Sequence, residues 1–234
     1  MKSPILPCSW LASLFFATVL LLGGCASFGT GRTAGAGTSA TLQGVADDYN
    51  QALLQTAASE EALDGVAVAS GPDLKQTFDF FSTNRDKMEL IGSRLVTHAD
   101  GMFFRGTYYF VEAGKSLEAC AFPRTARGDD QQSIDLGADF DAVSEAGGEI
   151  KRAFRAFQLD IEQIHDYLAN NLTLSGVDSI DQILRKAKVD GDSLQDSLRQ
   201  ALAALQHAKT TLAQGAPPPA LPPALPPAPP RPSP

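Results

Sequence analysis

The chain has 234 residues, 44% of them hydrophobic, and its 19 Lys and Arg against 27 Asp and Glu give a formal net charge of −8. Length and apolar content suffice for one domain with a sizeable core. The acidic balance, with no Lys/Arg cluster to offset it, repels phosphate backbones and anionic lipid and argues against nucleic acid as a partner.

Residues 1–24 read as a signal peptide. One early positive charge, Lys2, precedes an apolar run from Trp10 to Leu22. That run is about a dozen residues, too short for a comfortable bilayer span of ~20, and small residues follow it. Leu22-Gly23-Gly24-Cys25 closes the segment: an aliphatic residue three places before a cysteine, then two small residues. This resembles the lipobox of bacterial lipoproteins. The resemblance implies a diacylglycerol on the Cys25 sulfur, cleavage between Gly24 and Cys25, and a mature chain that starts at the acylated cysteine. Two or three acyl chains, palmitate among them, would hold it firmly where a single chain is marginal. Ala26, not Asp, follows the cysteine. By resemblance to enterobacterial sorting rules this points to the outer membrane, facing the periplasm. Cleavage would remove one Lys and no acid, taking the net charge from −8 to −9.

The cysteines sort with the cleavage. Cys8 leaves with the signal peptide and Cys25 is acylated, so Cys120 stands alone and no intramolecular disulfide is expected. Cys120 reads as a small apolar residue near a helix end, with an intermolecular bridge as the other reading.

Prolines give the domain map. Between the signal peptide and the eleven prolines of 217–234 stand only Pro72 and Pro123, so the segments between these joints are free to be long helices. Residues 25–40, rich in Gly and Thr, read as a flexible acylated tether. A weak helical pattern follows from Leu42 to Val68, on Leu42, Val45, Tyr49, Leu53, Leu63 and Val66. Leu74, Phe78, Phe81, Arg85, Met88, Gly92, Leu95, Ala99, Met102, Gly106, Tyr109 and Ala113 then alternate in steps of four and three, the seam of a coiled coil, and predict a helix over 73–121. Arg85 is the misfit, and a long side chain can snorkel out of a seam. Cuts near Thr97-His98 or Gly101 are the alternative.

The seam resumes at Leu136, Phe140, Val143, Gly147, Ile150, Phe154, Phe157, Ile161, Ile164 and Leu168. Asn170-Asn171 ends it, and a last helix runs from Val177 through Gly191 to Leu212 in unbroken phase. Asp190-Gly191-Asp192 looks like a turn locally, but the register passes through it and through Gly147, so both are read as helical. Glycines 92, 106, 147 and 191 all fall on the seam, which predicts close helix approach at those levels. Residues 215–234, with Ala-Leu-Pro-Pro twice, read as a disordered polyproline-type tail, a groove ligand or spacer if it has a specific role.

The fold expected is all-α: an antiparallel long-helix bundle over 41–214, with three long helices and one shorter N-terminal one, flanked by tether and tail. Helices of 40 to 50 residues would be rods of roughly 60–75 Å.

Chemistry is sparse. Glu162 and His165 have the Glu-x-x-His spacing of di-iron bundles, but His98 and His207 lack an acid three residues earlier, and Glu162 and His165 flank the seam. Asp190-x-Asp192 is too short for a calcium loop. Asn171-Leu172-Thr173 reads as a helix ending in which Thr173 or Ser175 caps the next helix. No catalytic, cofactor or metal residues are assigned. The aromatic group Phe103, Phe104, Tyr108, Tyr109, Phe110 covers more than one face, as core packing or as the wall of a ligand cleft.

From Met88 to Ala208 the chain also resembles an uncharacterised family of bacterial envelope proteins predicted to be helical bundles. Met102-x-x-x-Gly106-x-x-Tyr109-Phe110, Phe154-x-x-Phe157, Leu168-x-x-Asn171-Leu172-Thr173-x-x-Gly176-Val177 and Ala187-x-x-x-Gly191-x-x-Leu194 carry the resemblance, although Val111-Glu112 stands where that family often has tryptophan. It implies fold and location, not mechanism. The sequence therefore leads to a non-enzymatic, membrane-anchored periplasmic lipoprotein acting as scaffold, spacer or adaptor with an envelope protein partner. Its rivals are a binding protein for an apolar ligand at Phe103–Phe110 and an accessory lipoprotein of a secretion or efflux assembly.

Overall fold

Thr41 starts the first helix. Its backbone is extended and its hydroxyl oxygen accepts the N–H of Gly44 at 2.9 Å, satisfying one of the donors a helix start leaves free. In the computed structural model, which describes residues 39–115, 119–122 and 131–215, helix α1 then runs Leu42–Val68. The expected signal peptide, acyl site and tail, and the tether up to residue 38, lie outside the described residues. The chain divides into Met1–Thr33 and Ala34–Pro234, and the described residues all belong to the second unit.

The seam of α1 is more regular than apolar residues alone reveal. Leu42, Val45, Tyr49, Ala52, Thr56, Ser59, Leu63 and Val66 are all buried, in steps of three and four. Small polar residues can hold seam positions because their hydroxyls turn back onto the helix. Thr56 donates to the Ala52 carbonyl and Ser59 to that of Gln55, each at 2.9 Å. Leu53, expected on this face, is only half-buried.

A tight turn through Ser70-Gly71-Pro72-Asp73 leads to α2, Leu74–Arg105. Arg85 does swing off the seam: Asn84 takes the buried position, its side-chain carbonyl accepting from Gln55 of α1 at 3.0 Å. The helix stops well short of the expected residue 121. Gly106 adopts φ +56°, the left-handed region that glycine tolerates, and the chain tightens into a 3-10 turn over Gly106–Tyr109. Phe110 and Val111 then form isolated bridges with Ala40 and Cys120. Tyr109, Phe110 and Phe122 drop into this end of the core, their rings 5.2 and 5.4 Å apart in sequence, and Phe122 meets Phe140 at 5.5 Å.

Helix α3 spans Gln131–Asn170 and is about 60 Å long at 1.5 Å per residue. It runs unbroken through Gly147-Gly148. Thr173 caps the six-residue α4, Leu174–Ser179, accepting the Gly176 N–H at 3.0 Å. Helix α5, Asp181–Gly215, continues straight through Asp190-Gly191-Asp192. The last helix of the sequence reading is thus two pieces, divided at Ile180. The burial phase still holds across the break, through Val177, Ile180, Leu184, Ala187, Leu194, Leu198, Ala201, Leu205 and Ala208.

The four long helices form a ring in the order α1, α2, α3, α5, and cross-links show each neighbouring pair antiparallel. Asp48 of α1 meets Arg94 of α2, whereas Gln55 meets Asn84. Arg85 and Lys151 tie α2 to α3, reaching His165 and Asp100. Asp139 meets His207, and Asp160 meets Lys186, across α3 and α5. Gln43 meets Lys209, and Asp64 meets Lys188, across α1 and α5. This is an up-down-up-down four-helix bundle, and the all-α expectation stands. The start of α1 and the end of α5 lie side by side at the end opposite the start of α2.

The seam glycines do not act as one group. A Cβ at Gly92 would stand 1.7 Å from the Phe154 ring, and one at Gly147 would stand 2.2 Å from the Met102 methyl. At these levels glycine admits a large side chain from the neighbouring helix, while Gly106 ends α2 instead.

Candidate functional site

The acyl site expected at Cys25, with cleavage after Gly24, lies outside the described residues. The aromatic level of 103–110 is described, and it divides in two. Tyr109 and Phe110 are 1% and 0% exposed, whereas Phe103 and Phe104 are 79% and 67% exposed. Their positions explain the split. Phe103 and Phe104 end α2 on its outer side, edge to face with ring centres 5.1 Å apart. Tyr109 lies beyond the Gly106 turn, which folds its ring back over Gly101, where a Cβ would stand 2.1 Å from the ring. The inward half is therefore packed core and not a cleft wall.

Tyr109 also closes a buried polar cluster. Its hydroxyl lies 2.5 Å from His98 Nδ1, and His98 Nε2 lies 2.9 Å from Asp48 Oδ2. Arg94 donates to Asp48 Oδ1 at 2.9 Å and to Gln51 at 2.8 Å. A consistent arrangement has Nε2–H donating to the carboxylate and Nδ1 accepting from the phenol. The His98 hydrogen bond holds the Asp48 carboxyl below its usual range, against burial, and Arg94 adds to it. Burial, then the Asp48 charge, pushes the Tyr109 phenol well above its usual range. Tyr49 packs edge-on against His98 at 5.9 Å, and its buried hydroxyl has no hydrogen-bond partner among the described residues. Carboxylate, imidazole and phenol thus stand in relay order, but the phenol is sealed. The cluster clamps the 3-10 turn to α1 and α2.

No protein-family model, curated protein or solved structure matches this chain.

The remaining candidates separate along the bundle. Glu162 accepts from Gln158 at 2.8 Å and faces an open depression on the outer side of α3, beside Leu159, Asp166 and Tyr167. His165 turns the other way, stacked on Phe78 at 5.4 Å, with Nδ1 accepting from Arg85 at 2.9 Å. The two do not converge, and the described residues hold no group of three or more His, Cys, Asp or Glu placed to bind a metal. Cys120 is a half-buried thiol that donates to the Thr107 and Phe122 carbonyls, in a bridge segment and not at a helix end.

Asp190 and Asp192 face different neighbours. Asp190 shares Lys186 with the buried Asp160 of α3, where burial and the Asp190 carboxylate push Asp160 up despite the lysine. Asp192 acts on Glu60 of α1. Burial, then Asp192, pushes the Glu60 carboxyl up to about 7 against a hydrogen bond from Gln195 and the charge of Lys188. Sequence reasoning missed Asp48, Arg94 and Glu60, because each gains its meaning from a residue more than forty positions away. His98 was the available signal, an ionisable ring between seam residues Leu95 and Ala99. No helix among the described residues is long and apolar enough to cross a membrane.

Proposed function

We propose that this chain is a lipid-anchored protein of the bacterial cell envelope. Cys25 would carry the acyl chains, and the bundle would face the periplasm as a non-enzymatic scaffold or adaptor. The observation that carries the reading is Leu22-Gly23-Gly24-Cys25 behind a short apolar run. The resemblance of 88–208 to envelope bundle proteins belongs with it. The side-chain clusters support it too, since His98 and Tyr109, Glu60 and Gln195, and Asp160 and Lys186 each join parts of the bundle to one another. Within the scaffold reading, geometry favours an adaptor over a spacer. The bundle length separates the two chain ends from the far turns, not from each other, so it adds no span between lipid and tail.

The rival apolar-ligand site at Phe103–Phe110 is less well supported, because its inward rings are packed against Gly101 and the core. The test is fractionation of the native chain beside Cys25→Ala, with mass analysis of the N-terminal peptide. The wild type is expected in the membrane fraction with a diacylglyceryl group on Cys25, and the variant in the soluble fraction. An unmodified wild-type Cys25 rejects the reading. Crosslinking in the envelope, with and without residues 217–234, then asks for the partner. A stable co-purifying machine would favour the accessory role in secretion or efflux.

A further inference from the structure

We infer that the exposed corner made by Phe103, Phe104 and Tyr108 is a phospholipid-docking surface that sets the bundle on the bilayer by its tethered end. The inference rests on the acyl anchor proposed at Cys25. Three observations support this pairing. Phe103 and Phe104, 79% and 67% exposed, pair their rings at the end of α2, and Tyr108, 39% exposed, stands in the 3-10 turn that follows. Aromatic rings grouped on a surface in this way mark a contact site, and Phe and Tyr are side chains that settle at the headgroup boundary.

The chain that leads to the anchor enters the bundle at the same corner. Arg105, next to Phe104, donates to the Ser39 hydroxyl at 2.7 Å, and Ala40 pairs by backbone with Tyr109 and Val111 at 3.0 and 2.9 Å. The rings are thus fixed beside the point where the anchor segment arrives. Finally, only fourteen residue steps separate Cys25 from Ser39, a reach of at most about 50 Å by any path. An anchored chain holds the corner at high effective concentration near the lipid, so a contact too weak to recruit a free protein is enough to orient a tethered one. With a net charge of −8 the chain is repelled by anionic headgroups, so this apolar corner is suited to zwitterionic ones.

The experiment uses tryptophan as a depth probe in the acylated, full-length mature protein. The sole tryptophan of the sequence, Trp10, precedes Cys25, so Phe104→Trp supplies a single reporter. Leu90→Trp supplies the control, also exposed, at 68%, and ~21 Å back along the same helix. Both go into phosphatidylcholine vesicles with brominated acyl chains, after mass analysis and flotation establish acylation and vesicle binding and circular dichroism establishes the fold. The expected result is quenching of Phe104→Trp about threefold stronger than that of Leu90→Trp. Equal quenching in an acylated, vesicle-bound protein overturns the docking surface and leaves the anchor standing. Weak quenching that rises on deletion of residues 216–234 assigns the corner to the chain's own tail. Weak quenching with a crosslinked dimer assigns it to a second copy, and either outcome overturns the inference. A chain without acylation at Cys25 removes the anchor and this surface with it.

Discussion

Glu60 of α1 lays its carboxylate on Gly191 of α5, where a Cβ would stand 2.2 Å from Oε1. Oε1 is buried without a hydrogen-bond partner among the described residues, while Oε2 accepts from Gln195 at 2.5 Å. A glycine in the middle of a 35-residue helix is thereby explained by the headgroup it accommodates.

That contact should make stability depend on pH. The Glu60 carboxyl is raised from 4.5 to about 7 in the folded chain. Its contribution is complete below the unfolded value and is lost as the pH rises through the folded one. Glu60→Gln removes the charge and keeps the shape. Allowing for partial exposure, the variant should be more stable than wild type by about 1–2 kcal/mol at pH 8, a Tm gain of about 2–6 °C, and nearly equal to it at pH 4.5. Thermal melts at the two pH values decide it, and an unchanged or lower Tm at pH 8 counts against the buried carboxylate.

Two glycine-to-alanine changes should have opposite signs. Gly92→Ala puts a Cβ into the Phe154 ring, 1.7 Å away, and should cost ~2–4 kcal/mol. Gly137→Ala meets nothing within 4 Å in an exposed turn of α3 and should gain about 0.5–1 kcal/mol from helix propensity. Urea midpoints read both. Adding Phe154→Leu should recover part of the first loss.

The cluster at His98 should behave as a unit. Tyr109→Phe leaves Nδ1 of a buried imidazole without its partner, and Asp48→Asn removes the charge at Nε2. Each should cost about 1–2 kcal/mol, and the pair less than the sum. Because the Asp48 carboxyl is held below its ordinary 3.8, its contribution is present above that value and lost as the pH falls through the folded one. The penalty of Asp48→Asn should therefore shrink in acid. Additive losses, or a penalty constant from pH 7 to pH 2, would refute a coupled cluster.

Cys120 should label slowly. With its thiol directed at two backbone carbonyls, alkylation of the native chain should run about tenfold slower than in urea. Equal rates would return the intermolecular bridge to consideration.

The seams of α3 and α5 were plain in the sequence because apolar residues hold nearly every buried step, large ones along α3 and leucines interspersed with alanines along α5. The seam of α1 was harder to see. Ala52, Thr56 and Ser59 hold its middle, and a search for apolar side chains drifts to Leu53 instead. The overlong α2 has the opposite cause. Gly106, Tyr109 and Ala113 keep the helical spacing, and Tyr109 is buried, but it reaches the core through a left-handed glycine and a 3-10 turn. Periodicity records which residues are buried, not the backbone that brings them there. The clamp of Asp48, His98 and Tyr109 was not legible, since Asp48 and His98 lie fifty positions apart and meet only once the helices pair.

The pairing of Gln43 with Lys209 places the two outgoing chain ends on adjacent helices at one end of the bundle. Force applied between them would act across the long axis, not along it. The bundle would then open as a zipper does, with α1 peeling from α5 turn by turn from Leu42 and Gly215 inward. Each step would break one layer of contacts, with no simultaneous shearing of the whole interface. Load applied between Ser39 and Gly215 would therefore meet low resistance: the ties of Ser39 to Arg105 and of Ala40 to Tyr109 and Val111 would part first, then Gln43–Lys209 and then Glu60–Gln195.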